Sequence, residues 1–414
     1  MADAGATQRR SPHTDPMWIA VVALGISQIT AWGTSYYCLG ILAGPIAADT
    51  GWSRSLVFSG FTVGLLVMGL VSTRAGRAID RYGARHVMSL GTLVSSIGLY
   101  SLSLVESEAS YLVVWVLIGL GMRLSLYDAA FAALVQVTPS RGRRAISYLT
   151  LFGAFASSIF WVIGHFLNEA LGWRDTIAMF ALINLVVCLP LHWFGLARRE
   201  ESSASQPGAS AQVSLEGQPL QGRMRSIAIG LFMLIMSLNA FVFGVVTVQL
   251  VPMLEAAGLA AGAAVWVASM KGVAQFVGRL IEITFGANLR AITVARIAIG
   301  ILPLALLLLL SGGGFHAIVA FTLLLGVSQG VVTIVRGAVP LALFGATGYG
   351  TVLGLIATPI LVVNAVAPTA FAWMVERWGW YNGEVVLLVS ALASFIAVEA
   401  MSRWVERHRQ RLHR

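Results

Sequence analysis

The stretch GRAIDRYGARH, Gly76 to His86, gathers three arginines, an aspartate and a histidine into eleven residues. On both sides charge disappears: neither Ser55–Thr73 before it nor Val87–Val105 after it holds a charged side chain. A helix rises 1.5 Å per residue, so about 20 apolar residues cross a hydrocarbon slab of roughly 30 Å. Each flanking run has about that length. The stretch therefore reads as a tight polar turn between two membrane-crossing helices.

Working outward, charge-free runs recur at Met17–Ala48, Ala109–Met122, Ala145–Asn168, Thr176–Ala197, Ile227–Leu254, Ala256–Met270, Ile297–Val335, Gly337–Val375 and Val385–Val398. Ile297–Val335 is broken by the SGGGFH turn and divides in two, which makes twelve spans. Composition agrees: 57% of the 414 residues are hydrophobic and only 11% are charged, less than half the ~25% of a soluble domain. The fold class expected is all-α, a polytopic membrane protein with twelve transmembrane helices.

The net charge of +9 is explained by its distribution. With the N-terminal tail inside and the spans alternating, the cytoplasmic turns hold Arg74, Arg77, Arg81, Arg85, Arg141, Arg143 and Arg144, with Arg403, Arg407, Arg409, Arg411 and Arg414 at the end. The outer turns hold mostly acidic side chains, among them Glu106, Glu108, Glu169, Glu255 and Glu376. This is the positive-inside asymmetry. It sets topology, with both termini cytoplasmic in a plasma (inner) membrane, and implies a lipid bilayer and no nucleic acid as partner. Cys38 and Cys188 both fall inside apolar runs, so neither a disulfide framework nor a thiolate metal site is expected. The first apolar run is too long for a signal-peptide core and is read as a retained helix.

One segment interrupts the pattern. Residues 198–225, rich in Ser, Gln, Gly and Ala, read as a flexible cytoplasmic linker. The division expected is a tail at 1–16, six spans at 17–197, the linker, six spans at 226–404 and a basic tail at 405–414. The halves repeat weakly. Gly76-Arg77-x-x-Asp80 followed by Gly83-Ala84 reappears as Gly278-Arg279-x-x-Glu282 followed by Gly286-Ala287, and Asp128 in span 4 corresponds to Arg336 in span 10. Internal repeats of this kind characterise transporters.

These residues carry a resemblance. Gly76-x-x-x-Asp80-Arg81-x-Gly83-x-Arg85, between spans 2 and 3, resembles the signature loop of the major facilitator superfamily, with Ala84 where that family usually has a basic residue. The resemblance implies two pseudo-symmetric six-helix bundles around a central cavity, lined by spans 1, 4, 7 and 10, with spans 3, 6, 9 and 12 facing lipid. It also implies that Gly76, Asp80, Arg81, Gly83 and Arg85 form a conformational gate. A receptor for Asp80 is available, because span 11 opens at Gly348-Tyr349-Gly350 and a helix N-terminus attracts a carboxylate. As an ordinary turn, the loop would only set topology.

Charges deep in the slab are Arg123 and Asp128 in span 4, Lys271 in span 8 and Arg336 in span 10, and the lipid-facing spans hold none at depth. Embedded charge costs roughly 2.5–3.5 kcal/mol even on the lenient insertion scale, so it faces protein or water. Gln329, Thr333, Arg336 and Pro340 share one face of span 10. Arg336 is read as holding an anionic solute, against a static pair with Asp128 or snorkelling. Lys271, the one lysine in the chain, is read as a solute or proton site, against a pair with Asp128 or snorkelling outward. Arg123 and Asp128 are five apart, a poor pair on a continuous helix, so Arg123 is expected only to snorkel. In span 1, Gln28, Trp32 and Tyr36 lie at i, i+4 and i+8 and line the cavity or else pack. Asn239 in span 7 is weighed likewise. Gly326-Val327-Ser328-Gln329-Gly330 matches a nucleophile-elbow pattern, but lies within a span and reads as helix packing.

The sum is a secondary active transporter, not an enzyme, moving a small solute by alternating access, with no cofactor or metal. It is expected to act as a monomer, with a coupling proton left open. Two embedded cations against one anion favour an organic anion, and the chain resembles the bacterial oxalate–formate and monocarboxylate porters. Efflux of arsenite or other toxic compounds is the alternative. A non-transporting membrane receptor or sensor is the reading from another class. Span 5 lacks the Gly-Pro pair of the family's drug–proton antiporters.

Overall fold

The computed structural model describes residues 15–200 and 217–412, and every regular element among them is helical. Fourteen α-helices follow one another: α1 (Pro16–Ala31), α2 (Leu39–Thr50), α3 (Arg54–Tyr82), α4 (Ala84–Ser103), α5 (Glu108–Ser125), α6 (Tyr127–Val137), α7 (Gly142–Gly153), α8 (Ala156–Ile183), α9 (Leu189–Gly195), α10 (Gly222–Ala256), α11 (Ala261–Phe285), α12 (Ala291–Leu310), α13 (Gly314–Phe344) and α14 (Tyr349–Leu412). Wide π-helical turns at Trp32–Tyr36 and Asn184–Cys188 lead into α2 and α9. Polar caps start several helices where the chain enters the slab. Asp15 accepts from the Met17 amide at 3.0 Å, Ser53 from the Leu56 amide, and Ser107 forms a capping box with Ser110.

Eight segments among the described residues are long and apolar enough to cross a membrane. Two of them count twice. Gly142–Gly195 and Tyr349–Gln410 reverse direction at Gly172 and Gly379, whose φ of 79° and 80° is a left-handed conformation open chiefly to glycine. With α4 and α11, of 20 and 25 residues, the crossings reach twelve. A glycine followed by tryptophan marks both reversals, 207 positions apart (379 minus 172), beside the 208 separating Asp128 from Arg336. The fold repeats once.

Several expected boundaries move. The linker at 198–225 lies largely outside the described residues, and α10 already begins at Gly222. The basic end continues α14 as far as Leu412, so helix replaces tail over 405–412. The N-terminal tail lies outside the described residues up to position 14. Arg141, between spans 4 and 5, ties these edges together. It grips Asp15 with two bonds of 2.7 Å and Glu200 at 3.0 Å, and Asp15 above all pushes its pKa up. The lipid-facing spans are not free of charge. Arg296 of α12 meets Glu399 of span 12 at 2.9 Å, a pair whose mutual neutralisation lets both sit inside the helix ends.

Candidate functional site

Span 4 is not one helix. It breaks between α5 and α6 at Leu126, whose backbone is extended (φ −82°, ψ −167°). Polar groups released inside a membrane need partners. The Ser125 carbonyl accepts from Gln28 Nε2 at 2.8 Å, and the Ser125 hydroxyl donates to the Gly121 carbonyl at 2.8 Å. The break swings Arg123 onto Asp128, with Nη1 and Oδ2 3.3 Å apart. This corrects the expectation that the two point apart, which presumed an unbroken helix. It also corrects the expectation of snorkelling: Arg123 is 2% exposed and donates from Nε to the Ser72 hydroxyl at 2.5 Å.

Arg336 reaches the same oxygen from the other half of the molecule, its Nη2 lying 2.7 Å from Asp128 Oδ2. Asp128 is 7% exposed, and its Oδ1 has no hydrogen-bond partner among the described residues. Two guanidiniums thus share one buried carboxylate, and the cluster carries a surplus positive charge. Arg336, at 23% exposed, is its open member. Gln329, Thr333 and Arg336 are all half-buried along one face of α13, whereas Pro340, further along that face, is buried and not open to a cavity. The Thr333 hydroxyl donates to the Gln329 carbonyl, and Gln275 of α11 donates to Gln329 Oε1 at 2.6 Å. Lys271, one turn before Gln275, is half-buried with no ion-pair partner among the described residues, Asp128 included.

Gln28 is spent on structure: besides bracing Ser125 it accepts from Trp32 Nε1 at 3.0 Å. Trp32 and Tyr36 build an aromatic wall against Tyr127, the residue before Asp128, with Trp32 4.6 Å from Tyr36 and 5.1 Å from Tyr127, and Tyr36 4.8 Å from Phe61. Asn239 is not brought to this cluster. It is buried against Ser394 of span 12, to which its amide donates.

At the arginine-rich face, Asp80 crosses between the halves. Its Oδ1 accepts from the Gly350 amide at 2.9 Å, and its Oδ2 from the Thr351 amide at 2.7 Å and hydroxyl at 2.6 Å. Both amides belong to the first turn of α14, where unpaired N–H groups and the helix dipole favour an anion. Gly76 permits the approach, since a Cβ there would lie 2.1 Å from the Gly350 carbonyl oxygen. Gly83, at φ 85°, makes the turn between α3 and α4. Arg85 stacks over Trp193 at 4.3 Å and Arg81 over Tyr82 at 5.3 Å, so both side chains rest on their own half.

The repeat supplies a second bridge on that face. Glu282, the counterpart of Asp80, accepts from the Ser147 hydroxyl of α7 at 2.8 Å and lies 3.6 Å from Arg143. Arg143 donates to the Leu289 and Gly286 carbonyls, and Arg279 to the Thr150 carbonyl at 2.7 Å. Beyond the Asp80 bridge, spans 2 and 11 meet backbone to backbone: Gly354 packs on the Ser72 carbonyl and Gly69 on the Thr358 carbonyl. Ser72 and this glycine seam went unread in the sequence, where Arg123 was expected only to snorkel and Glu282 entered only as part of the repeat. Gly69 and Gly76, and Gly350 and Gly354, lie at helical spacing, which was the available signal. Gly326 and Gly330 pack on the α11 backbone at Lys271 and Gln275, and the Ser328 hydroxyl is committed to the Ala298 carbonyl. No elbow forms there.

A family model described as Major Facilitator Superfamily matches residues 24–358. Over 371 residues the chain is 24% identical to the Agnestins efflux protein AgnL12 of Paecilomyces divaricatus, covering 86% of this chain and 79% of that one. The fold of this chain is similar to that of the human organic anion transporter MFSD10 (TETRAN), with TM-score 0.70 at 15% identity over 94% of this chain and 100% of the other. A bacterial homologue of the iron transporter ferroportin, in an outward-facing state with soaked iron, gives TM-score 0.74 at 13% identity, over 92% and 99%.

Proposed function

We propose that this chain, which belongs to the Major Facilitator Superfamily and is a secondary transporter, moves a small organic anion. One observation carries the choice of solute: Asp128 has two arginines. Arg123 is buried and can neutralise it alone, which leaves the half-buried Arg336 as a cation available to something else. A guanidinium offers a planar fork that fits a carboxylate, and Asp128 occupies it as an internal stand-in. Lys271 on the neighbouring helix, with no ion-pair partner among the described residues, adds to the positive field. The resemblance to oxalate–formate and monocarboxylate porters is part of this proposal and is supported by the same embedded cations.

The bridges that join the halves among the described residues run from Arg336 to the arginine-rich face. That face is read as cytoplasmic in a plasma membrane, so the conformer is one closed on the inside. Alternating access then requires Asp80 to leave α14, Glu282 to leave α7 and the glycine seam to part.

Efflux of toxic compounds is the second reading, favoured by the efflux protein among the relatives. A thermal-shift screen of purified protein separates the two, since a ligand at 100 times its Kd adds about 2.7 kcal/mol of stability. Small carboxylates are expected to stabilise the protein, and Arg336→Gln to abolish their effect. Stabilisation by arsenite or cationic drugs, with none by carboxylates, would discard the organic-anion reading.

A further inference from the structure

Arg123 is too deeply buried to touch a solute, yet both ends of its guanidinium are engaged. Nη1 faces Asp128 Oδ2 at 3.3 Å, while Nε donates to the Ser72 hydroxyl at 2.5 Å and Nη2 to the Ser72 carbonyl at 3.5 Å. Ser72 is where the halves touch. A Cβ on Gly354 would lie 2.4 Å from that same carbonyl oxygen and 3.0 Å from Thr73 Cα, so span 11 closes directly on the backbone Arg123 holds. We infer that Arg123 is a positioning residue that transmits the state of the Asp128–Arg336 pair to the seam between spans 2 and 11.

The distances supply the mechanism. Asp128 Oδ2 is held more closely by Arg336, at 2.7 Å, than by Arg123, at 3.3 Å. When an anionic group takes Arg336, the buried carboxylate loses its 2.7 Å partner and keeps only Arg123, and a buried oxygen left short of hydrogen bonds is costly enough to draw that guanidinium in. The guanidinium is planar and rigid. Closing its Nη1 end on Asp128 withdraws Nε and Nη2 from Ser72, and the longest of these links, at 3.5 Å, goes first. The carbonyl against which Gly354 packs is then released. Occupancy near the centre and closure at the arginine-rich face become one event. The trigger rests on the organic-anion reading; the link from Asp128 through Arg123 to Ser72 does not.

The test needs no solute. A cysteine replacing Thr73, with Cys38 and Cys188 changed to alanine, reports seam opening by its rate of maleimide labelling in nanodiscs, where both faces meet the reagent. Arg336→Gln leaves Asp128 to Arg123 alone and mimics capture of Arg336. It is expected to raise the rate at least about fivefold, the low end of coupling between sites. Adding Ser72→Ala, which removes the closest acceptor, or Arg123→Lys, which keeps the charge but loses the fork, is expected to cut that rise to under about twofold. Size-exclusion profiles establish that each variant is folded, and the two cuts are independent. An unchanged rate in Arg336→Gln, or an equal rise in all three backgrounds, overturns the proposal. A failed carboxylate screen beside the expected labelling would discard the solute class and keep the transmission.

Discussion

Asp128 is the residue on which most of the others depend. Its carboxylate is the anion for two embedded arginines, so removing it differs sharply from removing either partner. Asp128→Asn leaves Arg123 and Arg336 both uncompensated, and breaking a buried pair in this way costs about 3–5 kcal/mol. Arg336→Gln leaves Asp128 still paired with Arg123. Thermal unfolding should therefore give a markedly lower midpoint for Asp128→Asn than for Arg336→Gln, and equal midpoints would mean that Arg123 does not compensate Asp128. The same count alters the choice of a neutral replacement. Asp128→Asn with Arg336→Gln strands Arg123, whereas Asp128→Asn with Arg123→Gln leaves only the half-exposed Arg336 charged, and this second double variant is expected to be the more stable. Arg336→Lys keeps the charge without the fork. Loss of a hydrogen bond to a charged group, worth about 1.5–3 kcal/mol, should weaken carboxylate binding about tenfold or more in the thermal-shift titration.

Among the elements, spans 2 and 11 are built to touch and to part. Their contact uses glycines where any side chain would intrude, together with a carboxylate on a helix N-terminus, and each of these acts only in the closed arrangement. Gly76→Ala would put a methyl 2.1 Å from the Gly350 carbonyl oxygen. Overpacking of this sort costs about 1–3 kcal/mol, charged here to the closed conformer alone. Distance measurements between spin labels at Tyr82 and Thr347, both at the arginine-rich face, should show the separated population grow. Asp80→Asn should shift it the same way by less, since the dipole contribution is about 0.3–1 kcal/mol. If neither variant moves the distribution, the loop is a topological turn and no gate. Span 4 has a different design. Its break at Leu126 needs no proline or glycine, because Gln28 of span 1 takes up the Ser125 carbonyl that the broken helix releases.

For the molecule entire, the arginine asymmetry makes a prediction about sidedness. In intact cells an impermeant thiol reagent should label Ser107→Cys and spare Gln410→Cys, and both should react after lysis. Cys38 and Cys188 are buried and add little background. Labelling of Gln410→Cys in sealed cells would invert the orientation. Twelve crossings, the turn at Gly76–His86 and its receptor at the start of span 11 are all legible in the sequence. They rest on signals local to the chain: apolar run length, charge at the ends of runs and a helix N-terminus at a known position. The lone arginine of span 10 was legible as a problem, but its partners were not. Arg123 and Asp128 are a pair only if the helix between them breaks, and that break is held by Gln28, 97 positions away. Arg336 meets them from 208 positions away. Hydropathy along a chain records how each residue meets the bilayer. Which buried charges meet one another depends on how the two halves are packed, and only the folded chain brings those groups within hydrogen-bond distance.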